Sequence, residues 1–304
     1  MAYFLNTVLG SLIPMCVTAI VTMAITLIFR TSFTTNFSQG VISAAGAYVA
    51  SSLVAKSGLP IFLSLPLAML VGMSLAMMID VGIFRRGRYV NALGKQIITM
   101  GLISLITGVL PFIFGYTDQY IIDAFIPGVF SKDLASGGTI NVTYNALVCL
   151  GITVVVLAVI FCMLRFSKWG LSVRATASNE YVAGMMGINT HVVTALSWGI
   201  AGAIGTLAAV MKASNGEIIS SYFMTDYQVN AFLAGILGGF STFHGPVICA
   251  FIIPLLNNLI VYALNVLGLS SYTGWSMVIV YAIALVIIFF KPQGIFGKKI
   301  ARKV

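Results

Sequence analysis

The sequence has 304 residues, of which 60% are hydrophobic and 8% are charged, with a formal net charge of +9. Ordinary soluble domains carry about 25% charged residues, so this composition excludes a soluble fold. Apolar runs are spread evenly along the chain, and no stretch is polar enough to fold alone in water. The sequence therefore predicts one membrane domain of the all-α class over residues 1–304.

The first apolar run is not preceded by a basic residue, and no small-residue cleavage site follows it. This layout differs from a secretory signal peptide, so we expect the first segment to be retained. Four cysteines lie inside apolar runs at spacings typical of neither a metal site nor a disulfide framework. We expect these four, Cys16, Cys149, Cys162 and Cys249, to be packing residues.

Nine apolar segments approach the length of about 20 residues that a helix needs to span a bilayer. The second, seventh and ninth are short, so the sequence predicts a polytopic bundle of about eight to nine spans. In chain order the segments are Val8–Phe29, Phe37–Ala55, Ile61–Ile79, Ile97–Phe114, Tyr144–Leu164, Val192–Met211, Tyr227–Phe243, Pro246–Leu267 and Trp275–Phe290.

Two of the connections between these segments are very short. Thr31–Asn36 joins the first segment to the second, and Ser241–Pro246 lies between the seventh and the eighth. Each pair is compatible with two full spans or with a broken or re-entrant helix. Irregular backbone is tolerated at membrane depth where it faces protein or a water-filled path.

The basic residues predict an orientation. If the nine segments alternate and the C-terminus is cytoplasmic, thirteen of the sixteen Lys and Arg residues fall inside. Only Lys56, Lys132 and Lys212 fall outside, together with five of the seven carboxylates. The positive-inside rule then places the N-terminus outside, and it accounts for the net charge without a nucleic-acid partner.

Two longer loops stand out, one on each side. The outside loop, residues 116–143, is expected to be a short structured excursion. The inside loop, residues 165–191, contains a carboxylate and an apolar set, which predict a short amphipathic helix along the membrane surface. That helix would be either a plain connector or a place where a partner can push. The residues are Glu180, Tyr181, Val182, Met185 and Met186.

The inside loop contains the stretches Ser167–Ala177 and Met186–Asn189, with Glu180 and Ala183 between them. Together they resemble the cytoplasmic coupling loop of the branched-chain amino acid permease family of bacterial ABC importers. Other stretches resemble the same family in the same order, across almost the whole chain. Ser38-Gln39 and the residues around Gly245 depart from the family pattern, which bears on the cargo. The matching stretches are Ser167–Ala177, Glu180, Ala183 and Met186–Asn189 in the loop, and Asn36–Gly40, Gly46–Tyr48, Thr99–Leu102, Ala231-Phe232, Leu237–Gly239 and Lys291–Gly297 elsewhere.

The resemblance implies a permease subunit of an ATP-driven importer for branched-chain or related small amino acids, in the bacterial inner membrane. Its implied partners are a second permease subunit, two cytoplasmic ATPase subunits, and a periplasmic or lipid-anchored substrate-binding protein. The chain has no phosphate-loop sequence, so ATP and Mg²⁺ are expected on the ATPases, with no cofactor here and no enzymatic activity. Urea, short amides or other small solutes are alternative cargoes within the family.

Two other classes compete with this interpretation. An ion-coupled secondary transporter would favour a mid-membrane carboxylate, and the predicted spans contain none at mid-segment. Asp80 lies only at an inner end. A membrane enzyme would need convergent titratable groups, whereas the seven carboxylates are scattered. Neither His191 nor His244 has a second ligand at helical spacing, so a metal site is not expected.

Two sets of candidate site residues follow. We expect residues 174–189 to form one coupling helix that contacts the ATPase, through Arg174, Ala175, Ala177, Glu180, Ala183, Gly187, Ile188 and Asn189. Polar or small residues at the two short connections are candidates for the translocation pathway, although small residues also serve plain helix packing. They are Asn36, Gln39, Gly40, Gly235, Gly238 and Gly239. The amides of Asn257 and Asn258 are expected to be satisfied by neighbouring helices.

Overall fold

The computed structural model describes residues 2–87, 90–115, 121–133 and 138–297. These ranges contain twelve α-helices and one β-hairpin. In chain order the elements are α1 (Ala2–Gly10), α2 (Leu12–Ser32), α3 (Gln39–Ser57), α4 (Ile61–Ile79), α5 (Ala92–Phe114), β1 (Val129–Asp133), β2 (Thr139–Thr143), α6 (Tyr144–Phe166), α7 (Lys168–Ser178), α8 (Glu180–Met185), α9 (Thr190–Ala213), α10 (Thr225–Gly238), α11 (His244–Val266) and α12 (Ser276–Phe290). A π-helical turn, Asp80–Phe84, extends α4, and a 3₁₀ turn, Ser270–Trp275, precedes α12.

Within the described residues, seven helical stretches are long and apolar enough to cross a membrane. They are α1 with α2, α4 with its extension, α5, α6, α9, α11, and α12 with its preceding turn. All nine predicted apolar segments are helical, but α3 and α10 do not meet this criterion. The predicted class, a polytopic helical bundle, is confirmed, with a span count close to the expected eight to nine.

The centre of the bundle consists of α2 and α9, and α9 packs against α2, α3 and α4. Small residues allow this close approach. A Cβ atom on Gly205 would lie 2.4 Å from the side-chain nitrogen of Gln39, and one on Gly202 would lie 2.3 Å from the carbonyl oxygen of Gly72. Small residues such as Gly202 and Gly205 therefore mark a close contact between helices.

The short connection between α10 and α11 is a helix break. At 14 residues, α10 is about 21 Å long at 1.5 Å per residue, too short to cross the hydrocarbon core alone. It ends at Gly239, whose φ of +81° favours glycine. Arg30, near the C-terminal end of α2, donates a 2.6 Å hydrogen bond to the carbonyl oxygen of Ser241 in the turn.

The outside loop contains a structure that the sequence did not predict beyond a short excursion. Strands β1 and β2 pair antiparallel, with Val129 opposite Thr143, and β2 leads directly into α6. Asn6 of α1 holds the hairpin. Its amide nitrogen donates to the carbonyl oxygen of Thr139 at 2.9 Å, and its oxygen accepts from the Asn141 N–H at 2.9 Å. Residues 116–120 and 134–137 of this loop lie outside the described ranges.

The expected single coupling helix over residues 174–189 is wrong, because the inside loop forms two helices. Asn179 separates α7 from α8 with an extended backbone, at φ −161° and ψ 111°. Its side-chain oxygen accepts the N–H groups of Tyr181 and Val182 at 3.0 and 3.1 Å. Asparagine is a preferred N-cap residue, so it starts a new helix here instead of continuing the old one.

Candidate functional site

The short helix α8 presents an apolar surface to its surroundings. Tyr181, Met185 and Met186 are each at least 65% exposed, and Val182 is also exposed. Ala183 lies on the opposite side and is buried. Clustered exposed apolar side chains of this kind mark a contact with a protein partner or a membrane surface.

The residues after α8 attach it to the central helix. The Ile188 N–H donates to the carbonyl oxygen of Ala183 at 3.1 Å, and Gly187 adopts a positive φ of +83°. Asn189 then caps α9, because its side-chain oxygen accepts the Val192 N–H at 3.3 Å. Three of the predicted coupling residues therefore form the connection from α8 to α9 and are not part of a helix.

Arg174 contacts its own chain. Its guanidinium donates to the carbonyl oxygen of Leu164, and to that of Arg165 at 3.4 Å. These groups are among the last carbonyls of α6, which have no partner within that helix. Ala175 and Ala177 are half-buried on α7. Arg174 thus ties α7 to the end of α6, while its predicted contact with a partner remains a prediction.

Glu180 of α8 lines a polar cavity of about 140 Å³. The cavity contains side chains of both charge signs, and the Thr194 hydroxyl donates to the Asp80 carboxylate at 3.5 Å. Its walls come from α2, the α4 extension, α5, α8 and α9. The lining residues are Ser32, Asp80, Phe84, Arg85, Lys95, Glu180, His191 and Thr194. Glu180 therefore faces the junction of four membrane helices.

The pathway candidates at the start of α3 are fully buried and bonded to one another. The Asn36 amide nitrogen donates to the Gln39 side-chain oxygen at 3.2 Å, and Gln39 donates to the carbonyl oxygen of Ala201 at 3.0 Å. Gln228 of α10 accepts the Gly40 N–H. These amides connect α3 with α9 and α10, and none of them lines a described cavity. Their pathway role remains a prediction.

Gly235 and Gly238 of α10, and Gly239 directly after it, are sites of close packing. A Cβ atom on Gly235 would lie 2.2 Å from the Phe240 ring, and one on Gly238 would lie 2.3 Å from the backbone of Gly245. Gly239 packs against the segment after α12, in which the Ile295 N–H donates to the carbonyl oxygen of Leu237 at 2.7 Å. Close packing explains these glycines, and their pathway role is likewise a prediction.

A second polar cavity, of about 300 Å³, was missed by the sequence reasoning. Lys212 is its central cation. The residue is only 6% exposed and pairs with Glu217 at 3.1 Å. The ammonium group also donates to the Phe223 carbonyl oxygen and lies 4.6 Å from the centre of the Tyr227 ring. The sequence analysis treated Lys212 only as one of three lysines expected outside. A Lys directly at the end of an apolar run was nevertheless a usable signal.

No group of three or more metal-ligating side chains occurs among the described residues. The four cysteines are all free, and three of them are buried. The geometry thus defines a membrane protein of many spans. The short helix α8, separated from α7 at Asn179, exposes apolar side chains, and a charged cavity lies elsewhere in the bundle. These features are typical of a transport subunit.

Comparison with known proteins identifies the family. Residues 7–288 match the family model described as "Branched-chain amino acid transport system / permease component", and the chain belongs to this family. The chain is 25% identical to a probable branched-chain amino acid transport permease protein LivH of Methanocaldococcus jannaschii, over 96% of this chain and 93% of the relative.

Two further relatives are named for different cargoes, a branched-chain amino acid in one and ribose in the other. The high-affinity branched-chain amino acid permease protein LivH of Escherichia coli K12 is 26% identical, over 71% of this chain and 65% of its own length. The ribose import permease protein RbsC of Haemophilus influenzae is 28% identical, over 78% of this chain and 71% of its own length. No solved structure gave a significant match. The relatives of this chain therefore include permeases named for amino acids and a permease named for a sugar.

Proposed function

We propose that this chain is a membrane subunit of an ATP-driven importer of branched-chain or related small amino acids. The observation that carries the proposal is the exposed apolar surface of α8, joined to the most central helix of the bundle by residues 186–189. A partner that moves α8 would move α9, and through it the helices α2, α3 and α4 that pack on α9.

The proposal requires partners, since the chain has no phosphate-loop sequence of its own. Two cytoplasmic ATPase subunits would hold ATP and Mg²⁺, and a second permease subunit would complete the pathway. A binding protein outside the membrane would deliver the solute. This arrangement places α8 on the cytoplasmic side of the inner membrane, in agreement with the positive-inside distribution of Lys and Arg.

Co-purification with the ATPases tests the docking role of α8. Tyr181 is 76% exposed, so replacing it with Asp places a charge in the apolar surface without disturbing the packed interior. We expect Tyr181→Asp, alone or with Met186→Asp, to reduce the recovered ATPase at least tenfold, which corresponds to about 1.4 kcal/mol.

Tyr222→Asp is the matched control, because Tyr222 is 63% exposed in the connection between α9 and α10, at the other end of α9. It should leave ATPase recovery unchanged. An undiminished complex with Tyr181→Asp and Met186→Asp together would show that α8 is a plain connector and would refute the proposed coupling surface.

Uptake by proteoliposomes that contain the assembled importer tests the energy source and the cargo. We expect leucine uptake that requires ATP and persists when an ionophore removes ion gradients. Uptake driven by a gradient without ATP would support the ion-coupled class instead. Because a ribose permease is among the relatives, ribose is the second candidate cargo, and preferential ATP-dependent ribose uptake would favour it.

A further inference from the structure

The 300 Å³ cavity around Lys212 lies within the volume range of small-molecule sites, at its lower end. Five parts of the chain line it: α2, the end of α9 with the loop that follows, α10, α11 and α12. The lining combines polar and charged residues with the apolar residues Pro14, Pro254 and Met277. In the proposed orientation it lies in the outer half of the membrane. The polar lining residues are Thr18, Lys212, Glu217, Asp226, Tyr227, Asn230, Asn257 and Asn258.

Hydrogen-bond acceptors in this cavity lack partners. The Thr18 side chain is completely buried, and its hydroxyl oxygen has no hydrogen-bond partner within the described chain. The side-chain oxygen of Asn257 is also buried and unpartnered. Asp226 also lines the cavity; it is exposed and makes no hydrogen bond or ion pair with the described residues. Unsatisfied buried polar atoms are costly, so the buried oxygens of Thr18 and Asn257 indicate an occupant that supplies donors.

The charges indicate what kind of donor the occupant carries. Lys212 is already neutralised by Glu217 at 3.1 Å, which leaves the Asp226 carboxylate as the uncompensated charge at this cavity. A cationic donor therefore fits better than a neutral hydroxyl. An ammonium group has three N–H donors, and the cavity offers three acceptors on Thr18, Asn257 and Asp226.

Other residues that line the cavity offer donors. The side-chain oxygen of Asn230 accepts the Tyr281 hydroxyl at 3.1 Å, which leaves its amide N–H groups to donate. Two of the three N–H donors of Lys212 contact Glu217 and the Phe223 carbonyl oxygen, which leaves one N–H to donate. A carboxylate can accept from donors of these two kinds, and Pro14, Pro254 and Met277 can contact an aliphatic side chain.

We propose that this cavity is a binding site for an α-amino acid zwitterion within the permease itself, with the ammonium group at Thr18, Asn257 and Asp226. This inference rests on the proposed function, because it assumes an amino acid as cargo. It adds that the membrane subunit recognises the charged backbone groups of the solute.

Titration of the full-length chain in phosphatidylethanolamine–phosphatidylglycerol nanodiscs, by calorimetry or saturation-transfer NMR, tests the site without any partner. The ligands are leucine, 4-methylpentanoate, which lacks only the ammonium group, and ribose. We expect saturable leucine binding and at least tenfold weaker binding of the other two. Asp226→Asn should weaken leucine binding about tenfold, and Asp226→Glu, which keeps the charge, should restore most of it.

Thr18→Val and Thr26→Val form a matched pair on α2. Both hydroxyls are completely buried and unpartnered, but only Thr18 lines the cavity. We expect Thr18→Val to weaken leucine binding severalfold and Thr26→Val to leave it unchanged, with the melting temperature of both variants close to that of the wild type.

Three results would overturn the inference: equal leucine affinity in Thr18→Val, Asp226→Asn and wild type, ribose or 4-methylpentanoate binding as tightly as leucine, or no saturable binding. Any of these results combined with ATP-driven leucine uptake by the importer would refute the site and leave the proposed function standing. Failure of ATPase docking or of ATP-dependent uptake would refute the proposed function independently of the titration.

Discussion

The peripheral helix α6 and the central helix α9 differ in opposite directions in hydropathy and in burial. Helix α6 has the highest mean hydropathy of the seven spans, yet only 28% of its most apolar window is buried. Helix α9 has the lowest, and 72% of its window is buried. Inside a bilayer, lipid is as apolar as leucine, so apolar content does not drive a helix into the protein interior. Close contact between small residues and polar bonds between helices do so instead.

The largest loss of stability is expected when side-chain volume is added at the centre of the bundle. A Cβ atom on Gly202 of α9 would lie 2.3 Å from the carbonyl oxygen of Gly72 and 2.6 Å from Ala76. These groups are backbone or directly attached to it, so they cannot move aside easily. We expect Gly202→Val to destabilise the protein by about 3 kcal/mol or more, at or above the upper end of overpacking costs. Unfolding in a denaturing detergent titration measures this.

The same change at the periphery should be harmless. Gly151 of α6 has open space within 4 Å of its would-be Cβ atom. Gly151→Val should change the unfolding free energy by less than about 0.5 kcal/mol, as is usual for exposed sites. Equal effects of the two substitutions would contradict the distinction between centre and periphery.

A smaller loss is expected when a central polar bond is removed. Gln39→Leu removes the acceptor of the Asn36 amide and the donor to the Ala201 carbonyl oxygen, and leaves both groups buried without that partner. We expect a cost of about 1–3 kcal/mol, measured in the same unfolding titration. Gln96→Leu on α5 is the control, since the Gln96 side chain makes no hydrogen bond with the described residues. A neutral Gln39→Leu would show that the amide network adds nothing to helix association.

The smallest effect is expected outside the membrane helices. Asn6→Ala removes both hydrogen bonds that hold the β-hairpin to α1, each with a net value of about 0.5–1.5 kcal/mol. Hydrogen exchange of the Asn141 amide should accelerate while the melting temperature stays constant. Asn265→Ala, which removes a 3.2 Å bond from α11 to the Tyr3 hydroxyl, should leave Asn141 protection unchanged. If Asn6→Ala instead lowers the melting temperature of the whole protein, the hairpin contributes to the stability of the core.

The sequence predicted the helices well because length and hydropathy determine which segments can cross a bilayer. For Ser241–Pro246 it left two full spans and a broken helix as alternatives, and the structure has a break over residues 239–243, inside the predicted seventh segment. It missed the break at Asn179, although an asparagine followed by Glu180 has the chemistry of a helix N-terminus. The alternating β-branched residues of Thr139–Thr143 were likewise a usable strand signal.

The cavity around Lys212 could not be predicted in the same way. Its lining comes from five separate elements, and hydropathy says nothing about which side chains meet. Asn257 was expected to be satisfied by neighbouring helices, whereas its oxygen is buried and unpartnered. Asn36 and Gln39 were preferred as pathway residues, yet they are bonded within the core. Only the three-dimensional packing separates a satisfied amide from an unsatisfied one.

The joint at Asn179 has a consequence for mechanical force. Because the backbone is interrupted there, a load on α8 is not carried along a rigid rod into α7 and α6. Residues 186–189 connect α8 to α9, so a movement of α8 would reach α9 directly. Because α9 packs on α4, whose surface largely faces lipid, such a movement would also shift a helix at the boundary with the bilayer.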